Sequence, residues 1–293
     1  MSLQAIPYIV LLSFLFGSTL IASRFSVGQF HPTTYSGLRL ALAGLSHITL
    51  YLIGYQRRRW PTDLRLWGHA ALLGVLGTAV PMTSIVSSLQ YQSAGLTAVL
   101  LTTGPAITVL MAHFFLADES LTWRKSLGIA LALGGAVLLA VRGENGLPDL
   151  AQVSPIGYGL VLLAMVFGSA MTIYARRYMR EFDAFDVASV RMLAAAVTVM
   201  PLSLLWVGFD LHRVNGQGYF ALGYAAVAGT FFGMLVAFYN IKRFGATASA
   251  MSDYVIPVVA GLGGVLILGE QITGSMLVGM GLIAAGIALI NRV

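Results

Sequence analysis

The sequence has no cysteine in 293 residues, and only 10% of its residues are charged. The first absence excludes disulfides, thiolate metal sites and a cysteine nucleophile together. The second excludes a solvated globular surface, where charged residues run near 25%. Apolar residues stand in their place: 58% of the chain is hydrophobic and the mean hydropathy is +0.84. They come in continuous runs, which argues against a membrane β-barrel, whose strands alternate. The composition is that of an all-α integral membrane protein, and 33 glycines suit close helix packing.

Catalytic signatures are also missing. There is no GxSxG and no Walker-type GxxxxGK[ST], so ATP-driven pumping by this chain is not expected. The histidines, at 31, 47, 69, 113 and 212, have no metal-ligand spacing. No metal, cofactor or enzymatic activity is expected. The net charge of +6 sits in short clusters between apolar runs and reads as an orientation signal rather than a nucleic-acid surface.

Apolar runs fall at about 6 to 27, 33 to 54, 66 to 90, 94 to 116, 123 to 141, 155 to 177, 184 to 208, 216 to 241, 245 to 268 and 274 to 291. Each is about the 20 residues that one crossing needs. Ten transmembrane helices are predicted. The N-terminal run lacks a basic n-region and a cleavage site, and reads as the first helix. Arg57, Arg58, Arg59, Arg65, Arg124, Lys125, Arg176, Arg177, Arg180, Lys242, Arg243 and Arg292 fall on one side, against Arg142 and Arg213 on the other. Basic loops stay inside, so both termini are expected in the cytoplasm of a multi-pass protein of the cell (inner) membrane.

The longest connection, 142–154, carries Gly143, Gly146 and Pro148 and reads as a linker between halves 1–141 and 155–293. The second half echoes the first at an offset of about 151 to 152 residues. Phe16-Gly17-Ser18 matches Phe167-Gly168-Ser169, Arg39 matches Arg191, and Gly77-Thr78 matches Gly229-Thr230; Pro105 matches Pro257, and Glu119 with Thr122 matches Glu270 with Thr273. Five helices per repeat is an odd number, so the halves cross in opposite senses. Two inverted five-helix repeats are the architecture of alternating-access transporters, with solute held where the halves meet.

Ser88 to Ala140, SLQYQSAGLTAVLLTTGPAITVLMAHFFLADESLTWRKSLGIALALGGAVLLA, resembles the EamA-type repeat of the drug/metabolite transporter superfamily, ten-helix branch. The second half repeats it more loosely from Ile241 to Ile290, so the resemblance covers essentially the whole chain. Where many relatives carry Trp-Gly-Ser-Asn in the first helix, this chain has Phe16-Gly17-Ser18-Thr19. Among members it most resembles bacterial exporters of aromatic amino acids. The resemblance implies a secondary transporter, exporting amino acids including bulky ones.

Asp253 is the most informative side chain. With its helix starting near Gly245, it lies about 12 Å into a core roughly 30 Å thick. Two readings stay open: a substrate-ammonium partner or proton carrier, and an interfacial or structurally paired carboxylate, with Arg191 the candidate partner. Arg39 and Arg191 lie about 9 Å from opposite faces and are expected to snorkel, leaving no deep cation. That favours a zwitterionic or neutral solute over a phosphate. Glu119 and Glu270 are expected to cap the helix that follows each in sequence. Pro105 and Pro257 mark hinges within their helices. Candidate substrate-binding residues are Ser18, Thr78, Met82, Thr102, Thr103, Ser169, Thr230, Phe231, Tyr239, Asn240, Asp253 and Tyr254. Gly229 and Gly233 read as internal helix packing. The expected partners are an amino-acid solute and the lipid bilayer. Export of other metabolites or drugs, and lipid handling through a cavity opening sideways, are the alternatives.

Overall fold

The computed structural model describes residues 3–54, 58–116, 120–148, 154–245 and 251–291, with every side chain among them except those of Phe238 and Lys242. Arg57, Glu119, Arg292 and linker positions 149–153 lie outside the described residues. Those described are almost entirely helical, with no strand among them. Eight helices are long and apolar enough to cross a membrane. They are α1 (Ile6–Phe25), α3 (Leu64–Ser88), α4 (Ala94–Phe115), α5 (Trp123–Arg142), α6 (Pro155–Tyr178), α7 (Ala184–Val207), α8 (Gly216–Ile241, its helix continuing to Phe244) and α10 (Gly274–Asn291). Two more lie within the remaining predicted runs: α2 (Pro32–Leu52) and the shorter apolar α9 (Ser252–Leu268), which as described starts at Ser252 rather than near Gly245, so that Asp253 stands in its first turn and not eight residues in.

Local chemistry sets the ends. Ser93, Thr122, Ser154, Asp183 and Asn215 accept from backbone amides at the starts of α4, α5, α6, α7 and α8. Gly143, Gly208 and Gly269 close α5, α7 and α9 in left-handed conformations that favour glycine. Two helices change pitch midway. α3 is π-helical over Val75–Ala79 and α8 over Ala225–Phe232, segments the sequence offset equates. α4 breaks at Thr102 and Thr103, and Pro105 opens the helix that resumes as Gly104–Phe115. Pro257, by contrast, sits inside the continuous helix of α9.

The helices pack mainly across the two halves. α1 packs on α9, α2 on α7, α3 on α6 and α7, α4 on α6 and α9, and α5 on α10. Small residues make this approach possible: a Cβ on Gly286 would run into the Gly128 carbonyl, and one on Gly229 into Thr19 Cγ2. Gly229 and Gly233 therefore seat α1, packing within the chain. Leu205, Trp206 and Leu266 point outward, more than 80% exposed, as lipid-facing residues do. The linker is held by both halves: Asn145 and Gly146 carbonyls accept from the Ser93 and Gln271 amides, and Glu144 accepts from Thr273 and Ser275.

Candidate functional site

At each π-helical turn a threonine meets an arginine from the other half. Arg39 Nε donates to Thr230 Oγ1 at 2.8 Å, and its Nη1 donates to Ser23 at 3.1 Å. Arg191 Nε donates to Thr78 Oγ1, and its Nη2 donates to the Gly77 carbonyl at 2.6 Å. Each threonine hydroxyl in turn reaches the carbonyl five residues back, Ala225 at 2.9 Å and Leu73 at 3.5 Å, the spacing of a π-turn. Residues equated by one offset thus exchange partners across the halves, as an approximate twofold requires. The expectation that these arginines snorkel is not met. Arg39 is 7% exposed, and both guanidinium groups turn inward because neutral oxygens of the opposite half hold them there. Two inward cations exist where the sequence suggested none. Among the described residues neither has a carboxylate within ion-pair distance.

Each arginine lines a cavity. The first, about 240 Å³, is bounded by Phe16, Thr19, Arg39, Met82, Leu101, Thr102 and Asp253. Asp253 has no hydrogen-bond or ion-pair partner among the described residues, so the pairing with Arg191 is not formed. A 40 Å³ recess adjoins it, with Thr102, Asp253, Tyr254 and Pro257 on its walls. The second cavity, about 490 Å³, is bounded by Gly77, Leu101, Pro105, Thr108, Ser169, Thr172 and Arg191, among others. Ser169 and Thr108 bond each other there at 2.8 Å. The second cavity is the wider, and among the described residues the first is lined by both charge signs, Arg39 and Asp253.

The predicted site residues therefore divide. Met82, Thr102, Asp253 and Tyr254 gather around the first cavity and its recess, and Ser169 and Pro105 around the second. Thr78 and Thr230 hold the arginines. Thr103 is buried, bonded to the Leu100 carbonyl and the Met165 sulfur. Phe231 is buried against His47, with ring centroids 5.0 Å apart. Tyr239 packs on Tyr8 with the rings tilted and their centroids 5.1 Å apart, and Asn240 donates to the Tyr8 carbonyl, both at the start of α1 and apart from these cavities. Ser18 bonds Tyr224 at 2.7 Å in a lateral apolar groove on the opposite side of α1. Sequence reasoning discounted Arg39 and Arg191 and passed over Phe16 and Leu101. The signal was present: arginines and threonines repeat at one shared offset.

Beyond the first cavity, Glu270 closes the end of the bundle where α1 and α9 finish. Its carboxylate, 5% exposed, accepts from the Ala94 and Gly95 amides at 2.8 and 3.3 Å, and lies 3.9 Å from Arg24 Nε. The capped helix is α4, in the other half, not the α10 that follows Glu270 in sequence. Three-dimensional packing brings α4 to α9, and at the start of α10 the Thr273 hydroxyl accepts from the Met276 amide instead. Burial pushes the Glu270 carboxyl up, against the pull of both amides and Arg24. At the opposite end Arg58 donates to Asp183 at 2.7 Å, joining the α2–α3 connection to the start of α7.

A helical membrane body with internal cavities between two related halves is the build of a transporter. The chain belongs to the EamA-like transporter family, whose pattern matches residues 3–141 and 155–292 as two repeats. An uncharacterised transporter of Archaeoglobus fulgidus is 24% identical over 279 residues, covering 94% of each chain. The inner membrane transporter YedA of Escherichia coli K12, also uncharacterised, is 27% identical, covering 94% of this chain and 87% of YedA. A probable terminal-alkyne amino-acid exporter of Streptantibioticus cattleyicolor is 28% identical over 88% of this chain and 84% of its own. One solved crystal structure, 21% identical, shares the fold with a TM-score of 0.66 over 99% of this chain and 98% of that one. The protein is a multi-pass membrane transporter, not an enzyme.

Proposed function

We propose that this transporter moves α-amino acids, bulky ones included, by alternating access, and that its physiological direction is export. The observation that carries the reading is the pairing of Arg39 and Asp253 on the walls of one cavity. A zwitterion presents a carboxylate and an ammonium on one carbon, and this cavity offers one charge of each sign, unpaired with the other. Phe16, Met82 and Leu101 supply apolar surface for a varied side chain. At about 240 Å³ the cavity falls below the roughly 300–1,000 Å³ of drug-sized pockets, which suits a small solute. The Streptantibioticus relative adds support for amino acids as a solute class.

The frame proposed for this function is ten crossings in two inverted five-helix repeats, 1–141 and 155–293, joined by linker 142–154, with both termini cytoplasmic. The exchange of Arg–Thr partners across the halves supports it. The break at Pro105 and the proline within α9 at Pro257 supply the points at which the helices bend during the cycle.

Lipid handling has one observation in its favour, the lateral groove of about 650 Å³ bounded by Phe14, Ser18, Phe220, Tyr224 and Leu262. The groove and the Arg39–Asp253 cavity lie on opposite faces of α1, however. The deciding experiment is uptake by proteoliposomes of a solute panel of amino acids, sugars, cationic drugs and labelled lipid, with and without a pH gradient. Amino-acid flux is expected, and Asp253→Asn, which keeps size but not charge, is expected to reduce it. Flux of drugs or lipid alone would refute the reading. Amino-acid flux untouched by Asp253→Asn at every pH would remove Asp253 from it.

A further inference from the structure

Among the described residues, the cavity at Arg191 has no acidic residue on its walls. The residue of the first half equated with Asp253 is Leu101, and Leu101 lines both cavities. Along α4 the first cavity takes Ala98, Leu101 and Thr102, and the second takes Leu101, Pro105 and Thr108. The first set lies at and before the break at Thr102 and Thr103, and the second runs from Leu101 across it. The two cavities are therefore successive stations along α4, one on each side of its break, meeting at Leu101.

The two stations differ in charge. Arg39 shares its cavity with a carboxylate, whereas Arg191 faces only neutral oxygens: Thr78, the Gly77 carbonyl and the hydroxyls of Thr108, Ser169 and Thr172 nearby. An inward guanidinium without a counter-anion is costly in a membrane protein, and its Nη1 group has no hydrogen bond among the described residues. An anion entering the cavity relieves that cost. A carboxylate suits the planar donor edge, and the cavity is wide enough for a side chain behind it.

We infer that the Arg191 cavity is a second binding station of different selectivity: it recognises a solute by its carboxylate alone, while the Arg39–Asp253 cavity requires carboxylate and ammonium together. The inference rests on the proposed amino-acid reading for its placement on the route, but not for its ligand chemistry. A translocating amino acid would pass between the two guanidinium groups beside Leu101, with its ammonium checked at one station only. Selectivity would then reside in the first cavity, and the second would give the carboxylate a place to rest during the exchange of access.

The absence of native cysteine makes a direct test possible. Thr172→Cys reports on the second cavity and Thr102→Cys on the first, each as the single thiol of the full-length protein in proteoliposomes. Protection of each thiol from N-ethylmaleimide is measured with phenylalanine, 3-phenylpropionate, which lacks the ammonium, and phenethylamine, which lacks the carboxylate. At Thr172→Cys, phenylalanine and 3-phenylpropionate are expected to protect at similar concentrations and phenethylamine to need at least about tenfold more, the worth of one charge-assisted hydrogen bond. At Thr102→Cys only phenylalanine is expected to protect well. Adding Arg191→Gln to Thr172→Cys should raise the protecting concentration of 3-phenylpropionate about tenfold or more. Arg191→Lys, which keeps charge without the planar fork, should raise it less and serves if the Gln variant does not fold.

Equal protection of Thr172→Cys by phenethylamine and 3-phenylpropionate would overturn the inference without any arginine variant. So would protection unchanged by both Arg191→Gln and Arg191→Lys. If the wild-type protein fails to move amino acids yet 3-phenylpropionate alone protects Thr172→Cys through Arg191, the proposed solute falls and the carboxylate station stands.

Discussion

Glu270 offers the most direct measure of how the halves hold together. The first three amides of α4 need acceptors outside the helix. Ser93 serves Leu96, and Glu270, from beyond α9, serves Ala94 and Gly95. Glu270→Ala leaves two buried amides without acceptors, each at about 1–3 kcal/mol, for a total of roughly 2–6 kcal/mol. Glu270→Gln keeps one carbonyl for Ala94 but turns an NH₂ group toward Gly95 and loses the charge, for roughly 1.5–3 kcal/mol. The assay is reversible unfolding in mixed detergent–SDS micelles, with midpoint and slope measured for wild type, Gln and Ala. A second readout is the rate at which N-ethylmaleimide reaches a single cysteine at Thr102. Both variants are expected to speed it, because this clasp closes the end of the bundle above the first cavity. Ala and Gln variants both within about 0.5 kcal/mol of wild type would refute the accounting. Destabilisation without faster labelling would leave Glu270 as a cap with no part in closure.

Further outcomes follow from other parts of the structure. Gly286→Ala forces α5 and α10 apart, because the neighbouring atoms are the backbone of Gly128 and Ala132, and should cost about 2 kcal/mol or more; Gly134→Ala, which meets open space, should not destabilise. Equal effects from the two, measured by unfolding, would contradict the packing. Asp183 titrates below its ordinary 3.8: burial alone would raise it, but Arg58 and the amides of Asp186 and Phe185 hold the charged form. Its contribution is therefore present above the ordinary value and lost as pH falls through the folded one. The gap in thermal midpoint between wild type and Asp183→Asn should close on acidification below about pH 4, and a pH-independent gap would count against the pair. For topology, single cysteines at Glu181 and His212 should label from opposite sides of the membrane, Glu181 from the cytoplasm; labelling of both from one side would break the inverted arrangement.

Much of this protein was legible in its sequence because the membrane enforces simple rules. Backbone groups cannot remain unpaired in hydrocarbon, so long apolar runs become helices, and their ends follow from charge, Pro and capping residues such as Ser93 and Asp183. The internal repeat was legible because residues packed alike in two halves keep the same spacing, as Thr78 and Thr230 do. Which way a side chain faces was not. Arg39 and Arg191 sit at depths from which a long side chain can reach either the membrane surface or the interior, and the choice belongs to Thr230, Thr78 and Gly77 on helices of the opposite half. The same holds for Glu270, whose partner lies 176 residues away, and for Phe231 and Thr103, whose residue types suit a cavity but whose neighbours bury them. Sequence determines which segments cross and which groups are costly to bury; the packing of one half on the other determines whether such a group meets a lipid headgroup, a protein oxygen or an internal cavity.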